Sequence, residues 1–403
     1  MVPSIFVSLE RLPLTSHGKV DRQALASIGS RSNRSDFVAP RSECETRLAQ
    51  LWETVLGVDR IGVKDRFFDL GGDSMKSIEL VIKIRQATGI DVPLAVLLQR
   101  DSVADMARYV EQKQDAVWSP VVPIQPHGQQ PPLFCIHPVG GNVLCYAPLA
   151  SALGDNQPVY GVQARGVEGT DQPLATMEAM VDEYLVAIRE IQPSGPYHFA
   201  AWSSGGIIAY EIARRLIEDC EPVATVALFD SFAPALMQID VEDDARILSE
   251  LVRFLNRFYY LNIDLSYDTL AAIGPDERIA MTLVCAKQTG FVPEEFDETY
   301  MRRFLAVCKA NLRAISHYVE VQQPQVPAVL YRALDPNGRS YSPDIDSTSD
   351  LGWGELLGRP IEVIDMDADH ASMIAGDEVI QIARDLRGRI SHGHVSIEAT
   401  DSH

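Results

Sequence analysis

Short apolar runs alternate with amphipathic segments from near residue 133 to residue 390. The runs LFCIH, YHFAAW and VATVALFD predict buried strands, because they are short, apolar and bounded by polar residues, glycine or proline. The segments between them have helical spacing, as in TMEAMVDEYLVAIREI and SGGIIAYEIARRL. Alternating strands and helices predict a doubly wound, mostly parallel α/β sheet over residues 133–390.

A long helical stretch, at about 236–322, interrupts this alternation before strands resume with PAVLYRAL and IEVIDM. It is too long for a plain connection between strands, so it predicts a helical lid inserted in the sheet domain. Large apolar residues in this stretch either line an apolar pocket or form the core of the lid itself. They are Phe254, Phe258, Tyr259, Tyr260 and Leu261.

A second region, residues 39–113, predicts a small four-helix bundle. Ser42 and Glu45 have the spacing of a capping box, and apolar residues follow them at helical intervals. Gly89 is predicted to end the second helix and Ser102 to begin the last one. The chain is therefore expected to be multidomain, with a helical bundle followed by an α/β domain.

The connecting segments differ from both domains in composition. Residues 114–132 contain repeated prolines with glutamines between them, which predicts an extended, semi-stiff linker that tethers the two domains. Residues 1–38 end in a serine-rich stretch and residues 391–403 are polar, so we predict a linker at one end and a tail at the other.

Composition excludes several classes of function. The formal net charge of −21 argues against nucleic-acid binding, because such a chain has no excess of basic residues to neutralise phosphates. The six cysteines form no CxxC pair and have no metal-ligand spacing, so we expect no metal site. Buried reduced thiols indicate a cytoplasmic protein. No apolar run reaches the roughly 20 residues that span a bilayer, so no membrane association is expected.

The segment AWSSGG, residues 201–206, lies between a predicted strand and a predicted helix. That is the position of the nucleophile elbow G-x-S-x-G in α/β-hydrolases, and it makes Ser203 the candidate nucleophile. Gly205 provides the second glycine of the pattern, whereas Ala201 replaces the first. Alanine is the smallest departure from glycine, so we expect the elbow to tolerate it.

A serine nucleophile requires a base that an acid holds in place. His370 lies in DADHASMI, directly after the last predicted strand, and is the candidate base. Asp230 and Asp335 each end a predicted strand, and both obey the order Ser, Asp, His. An oxyanion hole needs backbone N–H donors, one of which is expected at Ser204, directly after the nucleophile. The other is expected in the loop FCIHPVGGN.

The bundle contains the segment FFDLGGDSMKSIEL, in which Ser74 begins a predicted helix. A serine at this position is often a plain N-cap. The segment, however, closely resembles the carrier (thiolation) motif of nonribosomal peptide synthetases. That resemblance implies that Ser74 carries 4′-phosphopantetheine as a covalent cofactor, attached by a phosphopantetheinyl transferase. Residues 12–25, LPLTSHGKVDRQAL, resemble the closing motif of an adenylation domain, with Lys19 at the place of its lysine.

The α/β domain resembles the type I thioesterases of the same synthetases, whose D-H-x-x-M signature it shares around His370. By this resemblance the acid is Asp230, which lies 27 residues after Ser203 and is favoured over Asp335. The run HPVGG matches the oxyanion loop of that family and implies that Val139 is the second N–H donor.

Together the resemblances imply a terminal carrier and thioesterase of a nonribosomal peptide synthetase. Its serine thioesterase would accept an acyl or peptidyl thioester and release it by hydrolysis or cyclisation. The implied partners are an upstream adenylation domain, with or without condensation domains, and the thioester substrate.

Two alternatives stay open at this point. An adenylation motif followed by one carrier and one thioesterase also resembles the synthetases that dimerise aryl-pyruvic acids, in which the thioesterase forms carbon–carbon bonds. The other alternative is an inactive carrier scaffold, which the replacement of glycine by Ala201 motivates.

Overall fold

The computed structural model describes residues 37–112, 118–168, 171–237, 240–334 and 349–393. Over these residues the chain divides into two compact units. The first comprises residues 37–92 and 100–112, and the second comprises residues 93–99 and the described residues from 118 onward. The adenylation-like segment with Lys19, the C-terminal tail beyond residue 393 and Asp335 lie outside the described residues.

Four helices lie within the described residues up to 112. They are α1 (Glu43–Leu56), α2 (Ser74–Thr88), α3 (Leu94–Gln99) and α4 (Val103–Gln112). The capping box is confirmed, because the Ser42 hydroxyl accepts the N–H of Glu45 at 3.1 Å while the Glu45 carboxylate accepts the N–H of Ser42 at 3.3 Å. Gly89 ends α2 in a left-handed conformation, as predicted. The helix α3 groups with the second unit, although the sequence placed it inside the range 39–113.

The first unit has its core between α1, α2, α4 and the loop that precedes α2. Trp52 from α1 and Phe67 from the loop are fully buried, and their rings meet edge to face at 5.4 Å. Leu48, Leu80 and Met106 are also fully buried. The apolar stripes that the sequence shows on these helices therefore face one another.

Seven strands form a single sheet in the described part of the second unit. They are β1 (Val121–Gln125), β2 (Leu133–Ile136), β3 (Val159–Val162), β4 (Tyr197–Trp202), β5 (Val223–Phe229), β6 (Ala328–Ala333) and β7 (Glu362–Met366). Their order in the sheet is β1-β3-β2-β4-β5-β6-β7. The strand β1 is antiparallel to β3, and all other neighbours are parallel. The predicted mostly parallel α/β sheet is confirmed.

The helices of this unit follow in chain order. They are α5 (Ala147–Leu153), α6 (Met177–Ile191), α7 (Gly205–Glu218), α8 (Asp244–Phe258), α9 (Tyr267–Ala271), α10 (Pro275–Gln288), α11 (Glu298–Ser316), α12 (Trp353–Leu357), α13 (Ser372–Ala375) and α14 (Glu378–Gly393). Helices α8 to α11 all lie between β5 and β6, which is the predicted lid insertion. None of the described helices is both long and apolar enough to cross a bilayer.

The predicted linker over residues 114–132 is wrong in part, because it contains the strand β1. The prolines predict an extended linker over 114–132, but residues 121–125 pair with β3 and belong to the sheet. Pro123 lies opposite Tyr160, and the register shifts between Pro123 and Gln125. A proline is tolerated there because β1 is an edge strand, which is hydrogen-bonded on one side alone.

The centre of the sheet sets the position of the site. All residues of β2 and β4 are buried, as expected for parallel strands that are covered by helices on both faces. The strands β4 and β5 are adjacent and parallel, so their carboxyl ends reach the same edge of the sheet. In open α/β sheets ligands bind outside the carboxyl ends of the strands, which is where Ser203 and Asp230 follow β4 and β5.

Candidate active site

Ser203 follows β4 directly and precedes α7 in a tight turn. Its φ angle is +57°, a left-handed conformation that residues other than glycine seldom adopt. Its N–H donates to the carbonyl of Phe229 at 3.0 Å, which continues the hydrogen bonding between β4 and β5. The turn therefore holds Ser203 in the strained backbone typical of a nucleophile elbow, with its side chain half-buried.

The two small residues of the elbow have different surroundings. A Cβ atom at Gly205 would lie 2.6 Å from the carbonyl oxygen of His137, so this position requires glycine. Ala201 is fully buried within β4 and lies between Ile136 and Leu228 of the neighbouring strands. Its methyl group is part of the sheet core, and Ser203 adopts the elbow conformation with alanine at this position.

His370 and Asp230 form a buried pair. The distance between His370 Nδ1 and Asp230 Oδ2 is 2.8 Å, and the exposed fractions of the two residues are 2% and 0%. The other carboxylate oxygen of Asp230 accepts the N–H of Ala333 at 3.1 Å. Because a carboxylate accepts, Nδ1 carries the proton and Nε2 is left as the basic nitrogen.

Asp230 is itself held in an unusual backbone conformation. Its φ angle is +42°, and its N–H donates to the carbonyl of Tyr331 at 2.8 Å. Two consecutive strands thus each end in a non-glycine residue with positive φ, Ser203 after β4 and Asp230 after β5. Such conformations persist where the surrounding structure imposes them, and they cluster at functional sites.

Trp202, the residue before Ser203, contacts the histidine directly. Its indole Nε1–H donates to the carbonyl of His370 at 2.9 Å, and the two rings are 4.9 Å apart. Its backbone N–H donates to the Tyr146 hydroxyl at 2.8 Å, and that hydroxyl donates to the carbonyl of Ile136 at 2.6 Å. Sequence reasoning missed Trp202 and Tyr146, although an aromatic residue directly before the elbow serine was a signal for the first.

The lid contributes two aromatic residues to the surroundings of His370. The Phe254 ring meets the imidazole edge to face at 5.9 Å. The Tyr260 hydroxyl donates to the carboxylate of Asp369 at 3.2 Å. Tyr259 instead packs against Phe291 of the lid at 4.8 Å. Phe254 and Tyr260 therefore lie beside His370 and Asp369, whereas Tyr259 packs on the lid and is 39% exposed. The side chain of Phe258 lies outside the described residues.

The loop after β2 is held by a buried histidine. His137 Nδ1 lies 2.9 Å from the carbonyl oxygen of Pro138, and its Nε2 lies 2.8 Å from the Tyr184 hydroxyl. Since the carbonyl can only accept, Nδ1 carries the proton and Nε2 accepts from Tyr184. Burial lowers the pKa of His137 to about 4, so the ring is neutral near pH 7.

This arrangement determines the direction of the Val139 N–H. The carbonyl of Pro138 also accepts the N–H of Gly141 at 2.9 Å. In a trans peptide the N–H points opposite to the carbonyl of the same plane. The Val139 N–H therefore points away from the His137 ring and from the Gly141 N–H, which both lie at the carbonyl of Pro138. Ser204 caps α7 and is 2% exposed. N–H groups at the start of a helix have no acceptor within the helix and lie at the positive end of its dipole.

Ser74 lies at the first residue of α2 and is half-buried. The N-cap of this helix is Asp73, whose side chain accepts the N–H of Lys76 at 2.9 Å. The simple N-cap role for Ser74 is therefore wrong, and its hydroxyl is left for other chemistry. A serine hydroxyl can be esterified, and a helix N-terminus favours a phosphodiester, so the residues here fit 4′-phosphopantetheine.

Comparison with known families decides the class of the second unit. Residues 131–390 match the thioesterase domain family. The chain belongs to that family. Residues 46–110 match the phosphopantetheine attachment site, so a carrier domain precedes the thioesterase and carries the cofactor covalently. The resemblance inferred from the sequence is confirmed: the chain is a carrier followed by a serine thioesterase of the α/β-hydrolase class.

Known relatives place this thioesterase in nonribosomal peptide synthetases. Malpinin synthetase from Mortierella alpina is 30% identical over 410 residues, which is 99% of this chain and 5% of that protein. A dimodular nonribosomal peptide synthase from Bacillus subtilis (strain 168) is 36% identical over 260 residues, which is 62% of this chain and 11% of that protein. The chain thus spans a small part of the length of the relatives that it matches.

A solved structure agrees with this placement. A four-domain nonribosomal peptide synthetase, solved with AMP and glycine bound, is 29% identical and has a TM-score of 0.62. The match covers 96% of this chain and 29% of that one. The carrier and thioesterase of this chain are therefore arranged along the sequence as in nonribosomal peptide synthetases.

Proposed function

We propose that this thioesterase takes an acyl or peptidyl group from the carrier at Ser74 onto Ser203 and releases it by hydrolysis or cyclisation. The observation that carries the proposal is the buried pair of His370 and Asp230, which contacts Trp202, the residue directly before Ser203 in the strained turn. A 4′-phosphopantetheine arm on Ser74 supplies the thiol that presents the acyl group as a thioester.

In the first half of the reaction His370 Nε2 accepts the proton of the Ser203 hydroxyl as that oxygen attacks the thioester carbonyl. Asp230 holds the Nδ1–H and stabilises the imidazolium that forms. The indole of Trp202 lies against the same ring and holds the backbone of His370 through its Nε1–H. The proton on Nε2 then passes to the departing thiol, and the acyl group stays on Ser203.

In the second half His370 accepts a proton from water or from a nucleophile within the acyl chain. That nucleophile attacks the ester carbonyl, and the Ser203 oxygen leaves and takes the proton back from Nε2. Water gives a free acid, and an internal nucleophile gives a ring. Both halves use the same base and the same oxyanion donors.

The backbone N–H groups of Val139 and Ser204 are the donors for the negative oxygen of each tetrahedral intermediate. The hydrogen bonds of Pro138 to His137 and Gly141 support this role for Val139, because they fix the peptide plane that carries its N–H. Fixed donors act without reorganisation, and removing one such donor typically costs about 10²- to 10³-fold in kcat.

The proposal includes partners and a compartment. A phosphopantetheinyl transferase must modify Ser74, and an upstream adenylation domain, with or without condensation domains, must supply the acyl group. All six cysteines are free thiols. Free thiols are typical of a reducing compartment, so we place the protein in the cytoplasm.

The test follows the acyl group on the protein itself. A broad-specificity phosphopantetheinyl transferase and an acyl-coenzyme A load the carrier, and intact-protein mass spectrometry then follows the loaded mass with time. The wild type should lose the acyl group, whereas Ser203→Ala and His370→Ala should retain it. Loss of the acyl group at the wild-type rate in Ser203→Ala would refute the proposal.

A matched control checks the attachment site. Ser77 lies three residues after Ser74 on the same helix, but it is fully buried and its hydroxyl donates to the carbonyl of Asp73 at 2.7 Å. Ser74→Ala should gain no prosthetic mass, and Ser77→Ala should gain the same mass as the wild type. A full mass gain in Ser74→Ala would move the attachment site elsewhere.

A further inference from the structure

One face of the lid helix α11 packs against the HPVGG loop. Phe304, Val307 and Asn311 are three and four residues apart in sequence, so they share this face. A Cβ atom at Gly140 would lie 3.1 Å from the Phe304 ring, and one at Gly141 would lie 2.5 Å from Val307 Cγ1. Gly141 also has a φ of +80°. The loop therefore approaches α11 more closely than side chains at these glycines would allow.

Asn311 makes the polar contact of this face. Its Nδ2–H donates to the carbonyl oxygen of Val139 at 2.8 Å, although the two residues are 172 positions apart. The carbonyl can only accept, which fixes the orientation of the amide. The residue is 1% exposed, and its Oδ1 has no hydrogen-bond partner within the described part of the chain.

An unpaired buried acceptor costs stability, and an apolar residue of the same shape would avoid that cost. The hydrogen bond to Val139 contributes about 1 kcal/mol, which is no more than the cost of the unpaired acceptor, so stability alone does not account for an asparagine at position 311. A buried polar group that is left partly unsatisfied in a folded protein calls for another explanation, and a functional role is one of the usual ones. The hydrogen bond that Asn311 does make leads to the loop with the proposed oxyanion donor.

We propose that Asn311 is a positioning residue for the oxyanion hole, an inference that rests on the proposed function. His137 and Gly141 hold the peptide plane before Val139 through the carbonyl of Pro138. Asn311 holds the peptide plane after it through the carbonyl of Val139. With both planes fixed, the Val139 N–H has a single direction.

The inference changes the role of the lid. The helix α11 then takes part in catalysis, because its Asn311 fixes the direction of an oxyanion donor. Loss of the hydrogen bond from Asn311 should weaken the stabilisation of the tetrahedral intermediates without weakening the binding of the substrate. The expected signature is a lower kcat at an unchanged KM.

The test uses Asn311→Leu, which removes the hydrogen bond and the unpaired acceptor together. The matched control is Thr282→Val, since Thr282 on α10 is 1% exposed and its hydroxyl likewise has no partner within the described residues. Each variant of the full chain is assayed with a small diffusible acyl thioester and melted to obtain Tm. The rate at which a fluorophosphonate modifies Ser203 gives a second readout of the oxyanion hole.

We expect Asn311→Leu to lower kcat by about 10- to 100-fold and to slow phosphonylation, with KM unchanged. Tm should change little, because the carbonyl of Val139 loses its partner while the unpaired acceptor of Asn311 is removed. Thr282→Val should show the same or a higher Tm with the kcat of the wild type. Asn311→Ala serves if the leucine variant does not fold, and it should show the same loss of kcat. The inference is overturned if the folded variant keeps the kcat of the wild type, or if Thr282→Val loses as much.

A parallel Ser203→Ala assay separates this inference from the proposed function. If Ser203→Ala still turns over the thioester, the serine mechanism itself fails. If Ser203→Ala is inactive while Asn311→Leu turns over as the wild type does, the inference on Asn311 alone fails.

Discussion

The two serines to which we assign chemistry have similar exposure and similar positions relative to a helix, but they differ in backbone conformation. Ser74 and Ser203 are both half-buried, and each lies at the start of a helix. Ser74 has an ordinary helical backbone at the first residue of α2, whereas Ser203 has a φ of +57° in the turn before α7. One serine lies on a relaxed backbone and the other on a strained one.

Their neighbours differ in the same way. Ser203 lies in a unit whose buried His370 and Asp230 are 2.8 Å apart and supply a base. Beside Ser74, Asp73 caps the helix and the ammonium of Lys76 donates to the carbonyl of Gly71 at 2.8 Å. In our proposal the base for Ser203 therefore comes from its own domain, while the modification of Ser74 requires another enzyme.

The largest expected effect separates the two serines on one substrate. With a small diffusible acyl thioester, Ser203→Ala should lower kcat by roughly 10⁴- to 10⁶-fold, because the nucleophile is lost. Ser74→Ala should leave kcat and KM unchanged, because the substrate needs no carrier. Release of free thiol, followed with a chromogenic reagent, measures both. A strong loss in Ser74→Ala would show that the serines are not independent.

The next effect concerns the acid. Asp230→Asn should lower kcat by about 10³- to 10⁴-fold with the fold intact, because His370 loses the partner that fixes its tautomer. Asp335→Asn should be mild, since we assign no role to that carboxylate. Thermal melting controls for folding in both variants. The opposite ranking would move the acid to the strand end where Asp335 lies in the sequence.

A third prediction compares the stability of the two units at acidic pH. The pKa of the buried His137 is lowered to about 4, against about 6.5 in an unfolded chain. Its contribution to stability is complete above pH 6.5 and is lost as the pH falls towards 4, because the unfolded chain binds a proton that the folded one excludes. The loss amounts to about 3 kcal/mol over this range.

Hydrogen exchange read by mass spectrometry resolves the two units. Protection in the thioesterase should fall between pH 7 and pH 4 after correction for intrinsic exchange. The described carrier residues 37–112 contain no histidine and lack this contribution. His137→Gln should flatten the pH dependence of the thioesterase. An equal slope in that variant would assign the effect to other groups.

The smallest effect tests the link between the elbow and the base. Trp202→Phe keeps a ring beside His370 but loses the Nε1–H that donates to its carbonyl. We expect kcat to fall by about fivefold, because one neutral hydrogen bond contributes roughly 1 kcal/mol. KM should not change, and phosphopantetheine loading at Ser74 should proceed normally. A parallel loss of loading would indicate a general folding defect.

Much of the fold follows from local sequence patterns. The apolar runs predicted the strands β2 and β4 to β7 to within one or two residues, because short apolar runs between turn residues have few other uses in a globular domain. The ends of α1 and α2 follow from the capping box of Ser42 and from Gly89, which act over four residues or fewer. Such local signals are independent of the rest of the chain.

The sequence did not predict the features that depend on tertiary contacts. The strand β1 was hidden because Pro123 and its proline-rich surroundings are typical of a linker, and its pairing with Tyr160 exists only in the folded sheet. Asn311 and Val139 are 172 residues apart, and neither motif nor periodicity relates them. Motifs thus indicated the groups expected to do the chemistry, whereas the residues that hold those groups depend on tertiary contacts.

The capping of α2 by Asp73 bears on the modification that we propose at Ser74. Because the neighbouring residue closes the helix, esterification of Ser74 removes no hydrogen bond on which the helix depends. We therefore expect the apo and holo forms of the carrier to have the same backbone and nearly the same free energy of unfolding. Attachment of the arm then requires no refolding of the carrier, so a transferase acts on a helix that keeps its backbone when the arm is attached.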